Sequence, residues 1–484
     1  MKGSIVLRHA ALFHLVRLVA GLALVSSGAA YAQGEPSEEA TVQGSEARER
    51  ETSPVLSVSR TEPAPSEERP VLSVNQTESS LFEADEPVLF LDPAGPLPEE
   101  SLLDQRTGIS AETILDETAV PETKPPDGKE VQDRKKWALQ LRGRVGFAYD
   151  DNIFISNTNR VADTILTVTG GISLIYGDWR SRSENFLVAD YEGSGIFYFE
   201  NPDQNSFDQI ATLMGQYRIQ RLMMQLRSQY LYLTGAERDI GDLATRNLIN
   251  NSLRLSYDLS EKTAITAEGF ANIATYQTFF NSYEFGTKVG ADYKILQKVR
   301  VGPEIVVGFL NVVDSPFQVY EQIRARATYD TTAKLSFEGS AGMEFRQFDS
   351  ENRTYFVFSL AGNYRPFAGT AVTLRGYRRL YGSAALEGQD FIATGVELVL
   401  TQRFFQRIYL SVASGYENDE YIGIEPGVDA GRVDNYVFVR PAIAFAFTKW
   451  VSISAFYEFR NNFSNDDEFA FSNNRVGGAI AFQF

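Results

Sequence analysis

Val476-Gly477-Gly478-Ala479-Ile480-Ala481-Phe482-Gln483-Phe484 ends the chain, and its alternation decides the fold. Ile480, Phe482 and Phe484 share one parity, while Ala479, Ala481 and Gln483 share the other, so one face suits lipid and the other suits water or small neighbours. This is the pattern of the closing strand of an outer-membrane β-barrel, with Ile480, Phe482 and Phe484 as the signal for the barrel assembly machinery. The same two-faced pattern runs back to Trp137. The expected fold is all-β: a transmembrane antiparallel up-and-down barrel of about 18 strands (16 to 18).

Working outward, the first strand reads Trp137 to Tyr149, where Leu139, Leu141, Val145, Phe147 and Tyr149 alternate with Gln140, Arg142, Arg144 and Ala148. Ser282 to Ile295, Ala333 to Arg346, Thr370 to Tyr381 and Val451 to Arg460 repeat it. Each is long enough for the 9 to 11 tilted residues that cross a bilayer. Short connections such as Leu259-Ser260-Glu261-Lys262, Gln297-Lys298, Asp330-Thr331-Thr332 and Thr448-Lys449-Trp450 alternate with longer ones at Asp150 to Val161, Ala236 to Arg246, Gly382 to Asp390 and Glu417 to Val433. Short turns face the periplasm and long loops face outward, so an even strand count leaves both chain ends on the periplasmic side.

The chain before the barrel divides in two. Lys2, Arg8 and Arg17 precede the apolar run Leu18 to Val25, and Ala30-Tyr31-Ala32 supplies small residues at alternate positions, so residues 1 to 32 read as a signal peptide. Residues 33 to 134 read as an acidic, mostly disordered periplasmic tail. Residues 34 to 134 hold 24 acids against 8 bases, whereas residues 135 to 484 hold 39 against 34. A segment so rich in Pro, Glu and Ser buries too little apolar surface to fold alone. Within it Pro54-Val55-Leu56-Ser57-Val58, Pro70-Val71-Leu72-Ser73-Val74 and Pro87-Val88-Leu89-Phe90-Leu91 repeat a short unit. These are either drift in a low-complexity linker or extended docking peptides for a partner's sheet edge.

Two absences narrow the chemistry. The chain has no cysteine, and its two histidines, His9 and His14, lie in the signal peptide. That removes thiol nucleophiles, Ser-His-Asp catalysis and the commonest transition-metal ligand. No catalytic, metal or cofactor residues are expected, no cofactor is implied, and no nucleic-acid signature occurs. The protein reads as a non-enzyme.

A barrel of this size leaves an aqueous interior, and its inward parity is rich in charge. Arg142, Arg144, Arg227, Arg254, Lys288, Arg324, Arg326, Arg375, Arg379, Arg440 and Arg460 fall there with Asp190, Glu192, Glu268, Asp292, Glu304, Glu338, Glu344, Glu397 and Glu458. In hydrocarbon such side chains cost on the order of 2 to 4 kcal/mol at the midplane, so they must face water or one another. Sequence leaves open whether they form a plain mixed-charge wall or a solute track. Tyr230, Tyr232, Tyr283, Tyr293, Tyr381 and Trp450 fall near strand ends, where aromatic girdles belong. Glu417, Asn418, Asp419 and Glu420 read as an acidic surface loop, solvated or holding a divalent cation.

Tyr149-Asp150-Asp151-Asn152-Ile153-Phe154, at the end of the first strand, resembles the opening signature of the β-barrel porin 2 family of outer-membrane barrels. Many members of that family are similar to, or encoded among, proteins of exopolysaccharide synthesis and export. Physically the Asp-Asp-Asn cluster reads as a strand-ending turn whose short side chains cap backbone groups; the alternative is a rim site for sugars or cations. The resemblance implies a Gram-negative outer-membrane pore exporting exopolysaccharide or capsular polysaccharide, fed by a periplasmic export partner through the acidic tail. The competing expectation is a general diffusion porin for small solutes. Such porins carry a long loop folded into the channel, and no loop here reads as long enough, which favours the wider conduit.

Overall fold

The computed structural model describes residues 137 to 484, apart from 178–184, 333, 349–350, 368 and 429 and the side chains of 330–332. The signal peptide, the acidic tail and its repeats lie outside the described residues. Eighteen long strands follow one another: β1 Trp137–Asp150, β2 Asp163–Gly177, β3 Phe186–Tyr198, β4 Ser206–Ile219, β5 Leu222–Leu233, β6 Arg246–Asp258, β7 Thr263–Tyr276, β8 Ser282–Leu296 and β9 Val299–Val312. The second half comprises β10 Gln318–Thr332, β11 Leu335–Gln347, β12 Asn352–Tyr364, β13 Thr370–Gly382, β14 Gln389–Phe404, β15 Ile408–Gly423, β16 Val433–Ala446, β17 Val451–Ser464 and β18 Phe471–Gln483.

Every strand pairs antiparallel with its sequence neighbours, and β1 pairs with β18, so the sheet closes on itself. Closure leaves no strand edge along the wall, the condition for a sheet to cross a bilayer. The seam is in register from Arg142↔Gln483 to Asp150↔Arg475, and Phe484 extends it by exchanging backbone hydrogen bonds with Leu141 at 2.9 and 3.0 Å. The shortest ladder joins β12 to β13, spanning only Phe358↔Arg378 to Tyr364↔Val372.

Side-chain alternation follows the pleat. On β1, Leu139, Leu141, Val145, Phe147 and Tyr149 are exposed while Ala148 and Asp150 are buried; on β18, Val476, Ile480 and Phe482 are exposed while Asn473, Arg475 and Ala479 are buried. The exposed row continues around the sheet through Ile305, Ile323, Phe356, Leu398, Val439 and Ile453, giving the barrel an apolar outer belt.

Three expectations are corrected. Glu417 to Glu420 are not a loop, because β15 runs through to Gly423. Their polarity hid a strand whose inward carboxylates, Glu417 and Asp419, pair with Arg238. Tyr381 does not join a girdle: it stacks on Phe391 inside the barrel, ring centroids 5.4 Å apart. Tyr230, Tyr293 and Trp450 do stand exposed on the outside. The third correction concerns the Ala236 to Arg246 loop.

Candidate functional site

Residues 234–245, between β5 and β6, form a hairpin that folds inward. Two short strands, Ala236–Glu237 and Asp242–Leu243, pair with each other. Its turn closes through the amides of Ile240 and Gly241, which donate to the Glu237 carbonyl at 3.2 and 2.7 Å. Gly241 has φ +79, and a Cβ there would meet the Phe469 ring at 3.0 Å. Glycine satisfies both demands at once. At the root, buried Arg246 donates to the carbonyls of Gly235 and Ala244 at 3.1 and 3.3 Å, and its Nε lies 3.4 Å from Glu237.

The tip lands on the far wall. Arg238 forms ion pairs with Glu417 and Asp419 of β15 and packs 4.4 Å from the Tyr436 ring of β16. Asp239 accepts from Tyr421 Oη at 2.8 Å, Ser383 Oγ at 3.0 Å and the Ala384 amide at 2.7 Å. Arg432 completes the lock by donating to the carbonyls of Asp239 and Arg238 at 2.8 and 3.0 Å, while Asp434 holds its other edge at 2.6 Å. From β6 to β15 is nine steps round a ring of 18 strands, so the hairpin crosses to the opposite side. The strand partners Glu417, Asp419, Tyr421 and Tyr436 lie on inward rows, which puts the crossing inside the barrel.

Other loops on the same end join it. Ile155, from the loop after β1, is buried against Ala236, Tyr377, Phe391, Tyr421, Tyr436, Phe438 and Phe471. Its φ of 46 is a left-handed conformation that a β-branched residue adopts only at a cost of roughly 1–2 kcal/mol, offset here by burial. Ile240 and Ala244 pack on Ala384 with Tyr276 and Phe279, and the Phe280 amide donates to the Ala384 carbonyl at 2.9 Å. The Gly388 amide reaches Ser315 Oγ at 3.1 Å. The loop end of the barrel thus holds a small core of its own.

The charged positions read from sequence all fall on inward rows, and the structure distributes them along the wall. Arg142 grips Asp190 at 2.8 and 3.0 Å and lies 3.5 Å from Glu192. Lys288 meets Glu268 at 2.6 Å; Arg324 pairs with Glu304; Arg326 pairs with Asp292 and lies 3.5 Å from Glu304. Glu344 accepts from Arg346 at 2.6 Å and Gln322 at 2.9 Å, and Arg375 lies 3.4 Å from Glu397. Arg379 lies over the Tyr381 ring at 3.7 Å, Arg440 over Phe456 at 4.7 Å, and Arg460 donates to Asn473 at 3.0 and 2.8 Å. Glu458 is buried opposite Arg475 in register. Arg144, Arg227, Arg254 and Glu338 are half-buried. Acids and bases meet across neighbouring strands, while single inward rows carry one sign, Arg324 with Arg326 on β10, Arg375 with Arg379 on β13 and Glu417 with Asp419 on β15. Among the described residues no group of three acidic ligands is placed to hold a metal.

Tyr149 to Phe154 close the seam at the loop end. Tyr149 faces outward, and Asp150 Oδ1 accepts from the Asn152 amide at 2.9 Å and from Asn473 Nδ2. Asp151 takes the amide and Nδ2 of Asn474 at 2.7 and 2.8 Å. Asn152 donates to the carbonyls of Ser156 and Ser472 at 2.8 and 3.1 Å. Ile153 is buried with Ile165, Ile196 and Tyr198, and Phe154 packs on that cluster. The motif serves as a strand-ending turn that fastens β1 to β18.

Sequence reading missed the lock residues Glu237, Arg238, Asp239, Arg246, Tyr421, Arg432 and Tyr436. A signal was present in Glu237-Arg238-Asp239, three successive charges flanked by the small residues Gly235-Ala236 and Gly241, a composition that suits a tight hairpin in a polar interior.

No family model and no curated protein matches the chain, so the likeness to the β-barrel porin 2 family has no model behind it. Among solved structures, the chain is similar to OccAB3 of Acinetobacter baumannii, at 8% identity over 72% of this chain and 99% of that one, with a TM-score of 0.38. It is also similar to OpdO of Pseudomonas aeruginosa, at 12% identity over 72% and 97%, TM-score 0.39. A third is OccK2 (OpdF) of P. aeruginosa in complex with glucuronate, at 10% identity over 72% and 98%, TM-score 0.39.

Proposed function

We propose that the protein is an outer-membrane diffusion channel for small polar solutes, narrowed at its outer end by the 234–245 hairpin. The observation that carries this reading is the crossing itself, in which Arg238 at the hairpin tip pairs with Glu417 and Asp419 nine strands away. A conduit for a polymer needs width along its whole length, and a hairpin bonded to both walls divides the outer end. The mixed-charge wall supports water and polar solutes without committing to one ion. Polysaccharide export, with a periplasmic partner reached through the tail, is the reading that this crossing disfavours.

The test is conductance. Replacing residues 236 to 243 with a two-residue Asn-Gly turn should raise single-channel conductance in planar bilayers several-fold and admit larger neutral solutes in liposome swelling. If the shortened protein assembles as a heat-modifiable barrel yet conducts as the native chain does, the hairpin is not the constriction. Loss of surface polysaccharide on deleting the gene, with small-solute uptake unchanged, would restore the export reading.

A further inference from the structure

The two ends of the barrel carry opposite charge. The nine connections at the loop end contain 15 acids and three bases. At the turn end the balance inverts. Each of the seven described short turns carries one base: Arg221, Lys262, Lys298, Lys334, Arg365, Arg407 and Lys449. Glu261 is the single acid in those seven turns, and the terminal carboxylate of Phe484 lies at the same end. Apart from half-buried Arg365, these bases are exposed. Arg221 donates to the Leu259 carbonyl at 3.3 Å, Lys334 to the Pro366 carbonyl at 3.2 Å, and Lys449 lies 5.4 Å from the Trp450 ring. The result is a basic ring around the inner mouth.

We propose that this ring is the docking surface for the acidic segment Glu78 to Glu117 of the same chain. That segment, outside the described residues, holds 11 acids and a single base, Arg106. The described chain begins at Trp137 on β1, whose start lies at the turn end, so the segment joins the barrel on the side where the ring is. The 19 residues between Glu117 and Trp137 reach about 25 Å as a random coil and more when extended. The tether keeps the segment's local concentration on the order of millimolar. Single exposed ion pairs of this kind are weak and screened within about 8 Å at physiological salt. Many of them, held together by a tether, are not. The loop end, being acidic, repels the segment, so charge alone selects the ring. The competing occupant is the anionic headgroup of neighbouring phospholipid.

The chain's own chemistry supplies the test. A carbodiimide couples carboxylates to lysine Nζ without a spacer, and mass spectrometry identifies the joined peptides. The full-length protein in phosphatidylcholine nanodiscs at 20 mM salt should yield cross-links from residues 78 to 117 to Lys262, Lys298, Lys334 or Lys449. About tenfold fewer should form at 0.5 M salt, where the screening length falls to about 4 Å. Mixing isotope-labelled with unlabelled protein should show the links to be within one chain. Lys298→Glu with Arg407→Glu should lower the yield at the remaining lysines. Should that variant fail to assemble, the salt series on the native chain decides alone. Absence of such links, or a yield indifferent to salt, overturns the proposal. So does their disappearance when phosphatidylglycerol replaces part of the lipid, which would assign the ring to headgroups.

Discussion

The two ends of the seam between β1 and β18 are held by different means. At the turn end the ladder finishes in the two backbone bonds between Leu141 and Phe484. At the loop end the ladder is backed by Asp150, Asp151, Asn473 and Asn474, which bond across the seam side chain to side chain and side chain to backbone, and by Asn152, which donates to the Ser472 carbonyl. Beyond them, inward-folded loops form a core with its own buried charges. Redundancy makes the loop end of the seam tolerant of single losses, whereas its turn end depends more on each pair in the ladder. The loop end is therefore tied by several segments, and the turn end is left short and exposed.

The largest effect should follow from removing Phe482 to Phe484. That deletes the pairings Gly143↔Phe482, Arg142↔Gln483 and Val451↔Phe482 and leaves the inner ends of β1 and β17 with unpaired backbone facing lipid. Most of the assembled barrel should be lost, measured as the heat-modifiable band in isolated outer membranes. Normal levels of the truncated barrel would mean that something besides the ladder holds this end.

Arg238→Ala should come next. It leaves Glu417 and Asp419, both almost fully buried, without their cation, and breaking a buried pair in this way costs about 3–5 kcal/mol. The barrel should still assemble, because the loss falls on the hairpin and not on the ladder. Planar-bilayer records should show a larger, fluctuating conductance, and proteases added outside should cut between residues 234 and 245. An unchanged quiet current would show that Asp239 and Arg432 suffice to hold the hairpin.

A smaller loss is expected from Asn473→Ala at the redundant end. Asn473 joins Asp150, the Asn152 carbonyl and Arg460, so its removal strands buried polar groups at about 1–3 kcal/mol. The melting temperature of the refolded barrel should fall modestly while conductance stays native. A collapse of assembly would make the loop end as fragile as the turn end.

How much of this was legible follows from what each residue faces. The wall was readable because its outward residues meet lipid, which demands an apolar row at every second position; Leu139 to Tyr149 and Ile480 to Phe484 announce it from sequence. The 18 strands and their alternating connections follow from that demand. The crossing was not readable, because Glu417 and Asp419 answer to Arg238, 179 and 181 residues away in the chain. Their partner is another segment, not a solvent, and no periodicity records it. The same holds for Tyr381, whose place near a strand end suggests a girdle while its neighbours Phe391 and Arg379 draw it inward.

The smallest effect on stability should come from the turn bases, and it is where the two ends differ most. Lys298→Glu alters an exposed side chain in a two-residue turn flanked by the pairs Lys294↔Arg300 and Leu296↔Val299. Surface changes of this type stay within about 0.5 kcal/mol. Urea unfolding of the barrel lacking residues 1 to 134 should therefore be unmoved by Lys298→Glu, Arg407→Glu or both. The reverse substitution of charge at the loop end, Asp239→Lys, should destabilise strongly, because Tyr421, Ser383 and the Ala384 amide all donate to that carboxylate. If the turn reversals weaken the tail-less barrel as much as Asp239→Lys does, the ring belongs to the fold. If they leave it unmoved, the barrel does not depend on Lys298 or Arg407, and the shared sign of the turn bases needs a cause outside the barrel.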